Sequence, residues 1–289
     1  MAFPASELIL NPDGSIYHLN IKPEQLAETV ITVGDPDRVE KVTAHFDEIE
    51  FSQRKREFHI QTGYFKEKRI TVVSTGIGTD NIDIVLNELD ALANIDFETR
   101  EVKKKHTSLK IIRLGTTGSL QENVPIGSIL ISKAAIGFDG LAHFYKFQQQ
   151  SASALGKFIQ DLDYAEEKSR PYFSEADQGL LDQFNADEVN VGITATNPGF
   201  YAPQGRQLRG KVSDPDFIQR LSTVNFNGNQ ISNLEMETAG IYFLSNLLGH
   251  QALSINAVLA NRLTGGFSKK PQAITTKMIK WTLEKLAQL

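Results

Sequence analysis

Residues 232–240 read "SNLEMETAG", which sets Glu235 and Glu237 either side of a methionine just where an apolar run begins. Residues two apart share a face on a strand and point apart on a helix. The "QIS" before the pair is strand-like, and "TAGIYFLSNLLG" after it is apolar at helical spacing and ends in glycine. The two carboxylates therefore straddle a strand-to-helix junction, where ligand sites concentrate in α/β folds. The alternative for Glu237 is a plain place in the first helical turn, facing the positive end of the helix dipole. Three further strand exits combine glycine with charge: "VGDPDRVEKV" (33–42), "STGIGTDN" (74–81) and "RLGTTGSL" (113–120). Gly34 lets backbone N–H groups approach a ligand, and the next helix points its positive end the same way. None of the three carries the Gly-Lys-Ser/Thr of a P-loop or the glycine spacing of a dinucleotide fold. Arg38 and Arg113 offer forked donors that match a small dianion such as phosphate, and Thr116 adds a hydroxyl. Arg56, in "QRKREF", is a further candidate, or one member of an exposed basic patch. Glu235 and Glu237 can accept from vicinal hydroxyls, which a ribose displays. Phosphate plus ribose indicates a nucleoside.

The elements that must hold these groups follow from the pattern of the chain. Strand-like segments recur at 29–33, 69–75, 109–115, 127–138, 189–196 and 251–260, with helical patterns at 81–95, 240–249 and 273–289. Such alternation predicts an α/β sandwich with a largely central sheet. No repeat, low-complexity tract or Pro-rich linker divides the chain, so one domain is expected over residues 1–289. The stretch 140–188 is the least patterned and reads as a surface excursion. The composition, 40% hydrophobic and 22% charged in 289 residues, is that of an ordinary globular protein. A net charge of −5 with interspersed signs gives no nucleic-acid surface, and the absence of cysteine excludes disulfides and thiolate metal sites. The N-terminus lacks the basic start and apolar core of a signal peptide, and no apolar run approaches a membrane span, so a cytoplasmic protein is expected.

The motifs, taken in order, resemble the nucleoside phosphorylase family and most closely its uridine phosphorylases. "YHLNI" (17–21) is similar to the N-terminal histidine segment, "VGDPDRVEKV" to the glycine-arginine phosphate loop and "REF" (56–58) to the arginine lent by a neighbouring subunit. "STGIG" (74–78) resembles a shared sheet turn, "RLGTTG" (113–118) the main phosphate-binding turn and "LEMETAG" (234–240) the ribose-binding Glu-Met-Glu. The resemblance implies a three-layer α/β/α sandwich with a central mixed, partly barrel-like sheet, and reversible phosphorolysis, in which a nucleoside and phosphate give free base and ribose 1-phosphate. It implies that Gly34, Arg38, Arg56, Arg113 and Thr116 hold phosphate below the sugar. Met236 would then pack against the ribose, Glu237 bind its hydroxyls, Glu235 support them, and His18 of a partner subunit reach the 5′-hydroxyl.

For the base, "TNPGFYAPQGRQLRG" (196–210) offers Phe200, Gln204 and Arg206 in the spacing of uridine phosphorylases. Phe200 can lie against a flat ring, Gln204 can both donate to and accept from the imide edge of uracil, and Arg206 can steady the departing anion. Arg113, Arg206 and Glu237 are the residues on which turnover would depend. Purine-specific relatives tend to carry Ser-Asp after a later strand, where this chain reads "VLANRLTGG" (258–266) with Asn261 and Arg262. A purine nucleoside phosphorylase and a non-catalytic nucleoside-binding homologue are the alternatives. No cofactor is expected beyond phosphate as co-substrate. Some relatives hold a monovalent cation between subunits with a glutamate and a serine; Glu57 is retained but Asn81 replaces the serine, leaving that ion without half of its usual ligands. Hexamers are usual in the family and dimers also occur; shared His18 and Arg56 would require at least a dimer. The segments 97–108 and 142–188 look longer than in compact bacterial enzymes.

Overall fold

A computed structural model describes residues 2–289. After a short N-terminal segment, β1 (Thr29–Val33) leads into α1 (Pro36–Thr43). An antiparallel run follows, made of β2 (Glu48–Lys55), β3 (Phe58–Phe65) and β4 (Lys68–Ser74). Next come α2 (Thr79–Asn94), a two-stranded flap of β5 (Ile95–Asp96) and β6 (Glu101–Val102), then β7 (Lys110–Ser119) and β8 (Ile129–Gly137). The middle of the chain forms α3 (Ala152–Asp161), β9 (Tyr172–Glu175), α4 (Gln178–Phe184), β10 (Val189–Thr196) and α5 (Phe217–Thr223). The last part contains β11 (Asn225–Phe226), β12 (Asn229–Glu235), α6 (Thr238–Leu248), β13 (Gln251–Asn261), β14 (Gly266–Phe267) and α7 (Pro271–Leu286).

Strand alternation sorts the core into two layers. Val30 of β1 and Ile111 of β7 pack with Ile82, Val85 and Leu89 of α2 and with Leu244 of α6. Their neighbours Ile31, Ile112 and Leu114 turn the other way, onto Val39 and Val42 of α1 and Met278 and Leu283 of α7. Period-two apolar residues on both faces of the parallel pair β1 and β7 require helices on both sides. The result is a mixed α/β fold with one large central sheet of 12 strands.

Part of that sheet closes on itself. β7 pairs with β13, β13 with β8, β8 with β10, β10 with β12, and β12 returns to β7. From β7 the sheet continues as an open one through β1, β4, β3 and β2, while β9, β11 and β14 pair with strands of the ring. β7 thus changes partner along its length: β1 is in register with it from Lys110 to Leu114, and β12 only at Gly118 and Ser119. Between those registers β1 and β12 diverge. A gap of this kind in an α/β sheet is a topological switch point, where ligands settle.

Residues 140–188 are corrected from a surface excursion to part of the core. β9 pairs antiparallel with β8, and Leu155, Phe158, Leu162, Tyr172 and Phe173 are buried. Phe158 meets Phe226 edge-on, with ring centroids 5.9 Å apart. The apolar residues of α3 stand three and four apart among Ser, Lys and Gln, so no run marks them. Phe158→Ala is expected to lower the free energy of unfolding by about 3–5 kcal/mol, measured by denaturant titration. A change below about 1 kcal/mol would return the segment to the surface.

Candidate functional site

The gap opens into a cavity of about 750 Å³, within the range of roughly 300–1,000 Å³ usual for small-molecule sites. Gly34, Arg38, Arg113, Thr116, Phe200, Gln204, Arg206, Glu235, Met236 and Glu237, ten of the residues singled out from the sequence, line this one cavity. They come from β1, α1, β7, β12 and the loop after β10.

Arg113 stands on the face of β7 that looks toward the start of α6. Its Nη2 is 2.5 Å from Glu237 Oε2 and 2.9 Å from Glu235 Oε2, while Nη1 donates to Asn256 Oδ1 at 2.7 Å. The side chain folds back over Gly115, where a Cβ would sit 1.8 Å from Nη1. Glycine at that place in "RLGTTG" is a requirement of the guanidinium's path as much as of any ligand.

The two glutamates divide their work. Glu235 ends β12, and its Oε2 accepts from the backbone N–H of Glu237 and Thr238 at 2.9 Å each, so it caps α6. Its Oε1 accepts from the Thr196 hydroxyl at 2.6 Å. Both oxygens are occupied by the protein, so Glu235 supports the site by holding the helix end and Arg113. Capping therefore falls to Glu235 rather than to Glu237. The Glu237 carboxylate turns away from its own helix to Arg113 and to the N–H of Gly78, which donates to Oε1 at 2.9 Å. Gly78, at φ +94°, adopts a conformation that glycine accepts without strain.

Burial sets the charges. For Arg113, burial works against the cation, but the two carboxylates outweigh it and raise the pKa. The Glu237 carboxyl is pushed up, first by burial and then by Glu235, against the pull of Arg113. Both directions have one origin: two buried carboxylates share one guanidinium, so the cation is held firmly and one anion is under-compensated. Arg38 lies across the same space, donating to Leu114 O at 3.2 Å, with its pKa lowered by burial and by Arg113. Two guanidiniums facing one space favour an oxyanion between them.

At the other end, Arg206 lies 3.8 Å over the Phe200 ring and donates to Phe200 O at 2.7 Å and to Gln204 Oε1 at 2.5 Å. One face of Phe200 is thus taken by a guanidinium, and the buried Gln204 amide is oriented by it. The sequence reading missed Arg262 as a site residue, having weighed "ANR" only for the aspartate it lacks. Arg262 lines the cavity, its pKa is lowered by burial, and its buried Nη1 has no hydrogen-bond partner. The Arg206 pKa is brought down to about 10, by burial and then by Arg262. A charged residue directly after a long apolar strand was the available signal. Asn261 caps the next turn instead: Oδ1 accepts from Leu263 and Thr264 N–H at 3.0 Å each, and Nδ2 donates to Gln121 O at 3.1 Å.

His18 and Arg56 do not line the cavity. His18 is held by Glu88, which accepts from its backbone N–H at 2.9 Å and from Nδ1 at 2.7 Å. Arg56 sits in the turn between β2 and β3 at φ +55°. Glu57 and Asn81 meet beside Gly76 and do not by themselves make a cation site within one chain. Among the described residues, Asp90, His106 and His250 bring ligand-type atoms within 4.8 Å of one another. Leu109 N–H donates to His250 Nδ1, so in the neutral ring Nε2 carries the proton, 3.2 Å from Asp90. His106 Nε2 faces the Leu248 carbonyl at 3.0 Å and must donate to it. The His250 Nδ1 lone pair is thus taken by Leu109, and none of the three residues lines the cavity.

Comparison with known proteins gives the same picture over nearly the whole chain. A profile described as the phosphorylase superfamily matches residues 28–289. A uridine phosphorylase of Thermococcus kodakarensis is 31% identical over 269 residues, 92% of this chain and 85% of its own. A DeoD-type purine nucleoside phosphorylase of Caldanaerobacter subterraneus is 28% identical, covering 92% of this chain and 98% of its own. Among solved structures, a Trypanosoma brucei nucleoside phosphorylase described as showing uridine phosphorylase activity superposes with a TM-score of 0.88 at 31% identity, over 98% of this chain and 100% of that one.

Gly115→Ala is expected to displace the Arg113 guanidinium and weaken binding of inorganic phosphate at least tenfold, about 1.4 kcal/mol, by calorimetry. Unchanged phosphate affinity would remove Arg113 from the anion site.

Proposed function

The chain belongs to the phosphorylase superfamily, and we propose that it catalyses the reversible phosphorolysis of uridine to uracil and ribose 1-phosphate. The observation that carries this reading is the charge layout of the cavity. Arg113 and Arg38 stand with Glu237 at one end, and Arg206 and Arg262 stand with the Gln204 amide at the other. Phosphate beside the first pair lies under the anomeric carbon of a ribose whose hydroxyls Glu237 accepts. Met236, in the same wall, packs against the sugar. A phosphate oxygen forms the new bond to C1′ as the bond from C1′ to the base breaks, and the electron pair leaves with the base. Holding both reactants in one cleft makes this a local step. Negative charge develops on the ring carbonyls of the leaving uracil, and the guanidiniums at that end stabilise it more in the transition state than in the bound nucleoside. His18 and Arg56 are read as reaching the site of a second copy.

A purine as leaving group is favoured by an acid at its N7. Where purine-specific relatives tend to carry Ser-Asp, this chain has Asn261 and Arg262: the Asn261 amide is engaged by the turn it caps, and Arg262 brings a cation to the cavity in place of an acid. This supports uridine over inosine.

Incubation with uridine or inosine, with and without phosphate, tests the reading. Phosphate-dependent uracil release is expected; hypoxanthine release would favour a purine enzyme, release without phosphate a hydrolase, and no release a binding protein. Arg206→Ala and Arg262→Ala are each expected to reduce kcat/KM for uridine about 100-fold with the KM for phosphate within about threefold of the parent. Normal uridine kinetics in both variants would overturn the assignment of the base end. Glu237 accepts ribose hydroxyls best when ionised, and that form is lost as pH falls through its raised pKa. The kcat/KM for uridine is therefore expected to decline on acidification at a pH above the ordinary glutamate range. A profile flat down to that range would contradict the role of Glu237.

A further inference from the structure

The closed part of the sheet is polar inside. Leu253, Ile255 and Ala257 of β13 face the outer helices, whereas Ser254 and Asn256, between them, face inward and are fully buried. Around the ring, Ser132, Thr194, Asn233 and Thr117 are likewise buried. Buried polar side chains are tolerated only when they are hydrogen-bonded.

Their bonds form one chain. Arg113 Nη1 donates to Asn256 Oδ1 at 2.7 Å, and Asn256 Nδ2 donates to Ser132 Oγ at 3.1 Å. Ser132 and Thr194 hydroxyls are 2.5 Å apart, Thr194 donates to Asn233 Oδ1 at 2.8 Å, and Asn233 Nδ2 donates to Thr117 Oγ1 at 2.8 Å. Thr117 donates to Leu234 O at 2.7 Å. The path runs from β7 through β13, β8, β10 and β12 and back to β7, visiting every strand of the ring.

Its direction is determined by its ends. A guanidinium can only donate, so Asn256 turns its carbonyl to Arg113 and its amide N–H to Ser132. A backbone carbonyl can only accept, so the Thr117 proton goes to Leu234, and Asn233 must present a donor to Thr117. Thr194 then gives its proton to Asn233, and Ser132 has one partner left, Thr194. Every bond points the same way, an arrangement in which each strengthens the next.

We infer that this belt positions Arg113, with Asn256 as its first link, and thereby sets the affinity for phosphate; the inference rests on the phosphate role of Arg113 given above. Glu235 and Glu237 fix Nη2, and the belt fixes Nη1. Together they leave a five-donor group on a three-methylene stem no rotation within its own plane. A loosened guanidinium would keep its charge but lose the alignment of its fork with an oxyanion.

Thr194 has no place in the cavity lining, so it reports on the belt without touching the ligand. Thr194→Val keeps the shape and removes the hydroxyl that donates to Asn233 and accepts from Ser132; Thr194→Ser keeps it. Inorganic phosphate binding by calorimetry, on variants checked for folding by thermal melting, is the primary readout. Thr194→Val is expected to weaken phosphate at least fivefold, and Thr194→Ser to stay within twofold of the parent. The KM for phosphate should rise in step, with kcat at saturating phosphate changed less than threefold. A merely structural role would lower the active fraction, and so kcat, without moving either phosphate constant. Should Thr194→Val not fold, Ser132→Ala serves in its place, with the same expectation. A folded variant that binds phosphate like the parent overturns the inference. Failure of the parent to release uracil from uridine would overturn the uridine reading alone, because phosphate binding is measured without a nucleoside.

Discussion

One buried guanidinium between two carboxylates organises this protein's site. Arg113 meets Glu235 and Glu237 with little water access, and ions in such a place are held only by partners placed within hydrogen-bonding distance. Removing one member of a buried set typically costs about 3–5 kcal/mol, because the others are left uncompensated. Much nearby structure answers to that demand. Gly115 clears the path of the Arg113 side chain, Gly78 turns its N–H to Glu237, and Thr196 holds the second oxygen of Glu235. The capped end of α6 is then a consequence of the same cluster, since Glu235 reaches its first N–H groups from the last residue of β12. A functional group and a fold-determining contact are here one object.

The cluster lies where it does because of strand order. β7 cannot pair with β1 and β12 over the same residues, so it takes them in succession, and the gap between them falls at Gly115–Thr117. Arg113 is the last residue before the gap whose side chain points toward α6. The opposite wall is supplied from far along the chain, by Leu234–Glu237 and by the loop after β10. No local segment contains the site. It exists only once the ring of strands has closed, which makes the closure a condition of binding as well as of stability.

That dependence explains what was legible in the sequence. β1 and β10 coincide with the segments read from apolar patterning, and α2, α6 and α7 follow their 3.6-residue periodicity to within two residues or so at their ends, apart from the cap and fray of the last. The hairpin of β2 and β3 escaped because "EIEFSQRK" is largely solvent-facing and offers little apolar alternation. Glycine and arginine at strand exits pointed to an anion site, since those residue types have few other reasons to coincide there. The family resemblance divided the roles of Glu235 and Glu237, but the capping was not legible: two carboxylates two residues apart carry no mark of which one caps the helix. Arg262 and the polar belt were missed for a related reason. Ser, Thr and Asn inside β8, β10, β12 and β13 read as weak strand residues until the strands close and show which side is inside.

The two ends of the cavity differ in a way that bears on the chemistry. At the Arg113 end, positive charge is balanced by Glu235 and Glu237 whether or not a ligand is present. At the Arg206 end, Arg262 lies close enough to depress the proton affinity of Arg206, with an aromatic ring and an amide beside them and an Arg262 Nη1 that finds no hydrogen-bond partner among the described residues. Holding like charges together is unfavourable in the free protein, and an anion arriving between them relieves it. A neutral uracil ring offers only carbonyl dipoles, which relieve it in part. The ring that departs with the bonding electrons offers nearly a full charge, and relieves it most. In the orientation proposed for the nucleoside, the end with unbalanced charge is the end where charge appears only as the bond breaks, which is the condition for an electrostatic interaction to accelerate a reaction rather than merely to tighten binding.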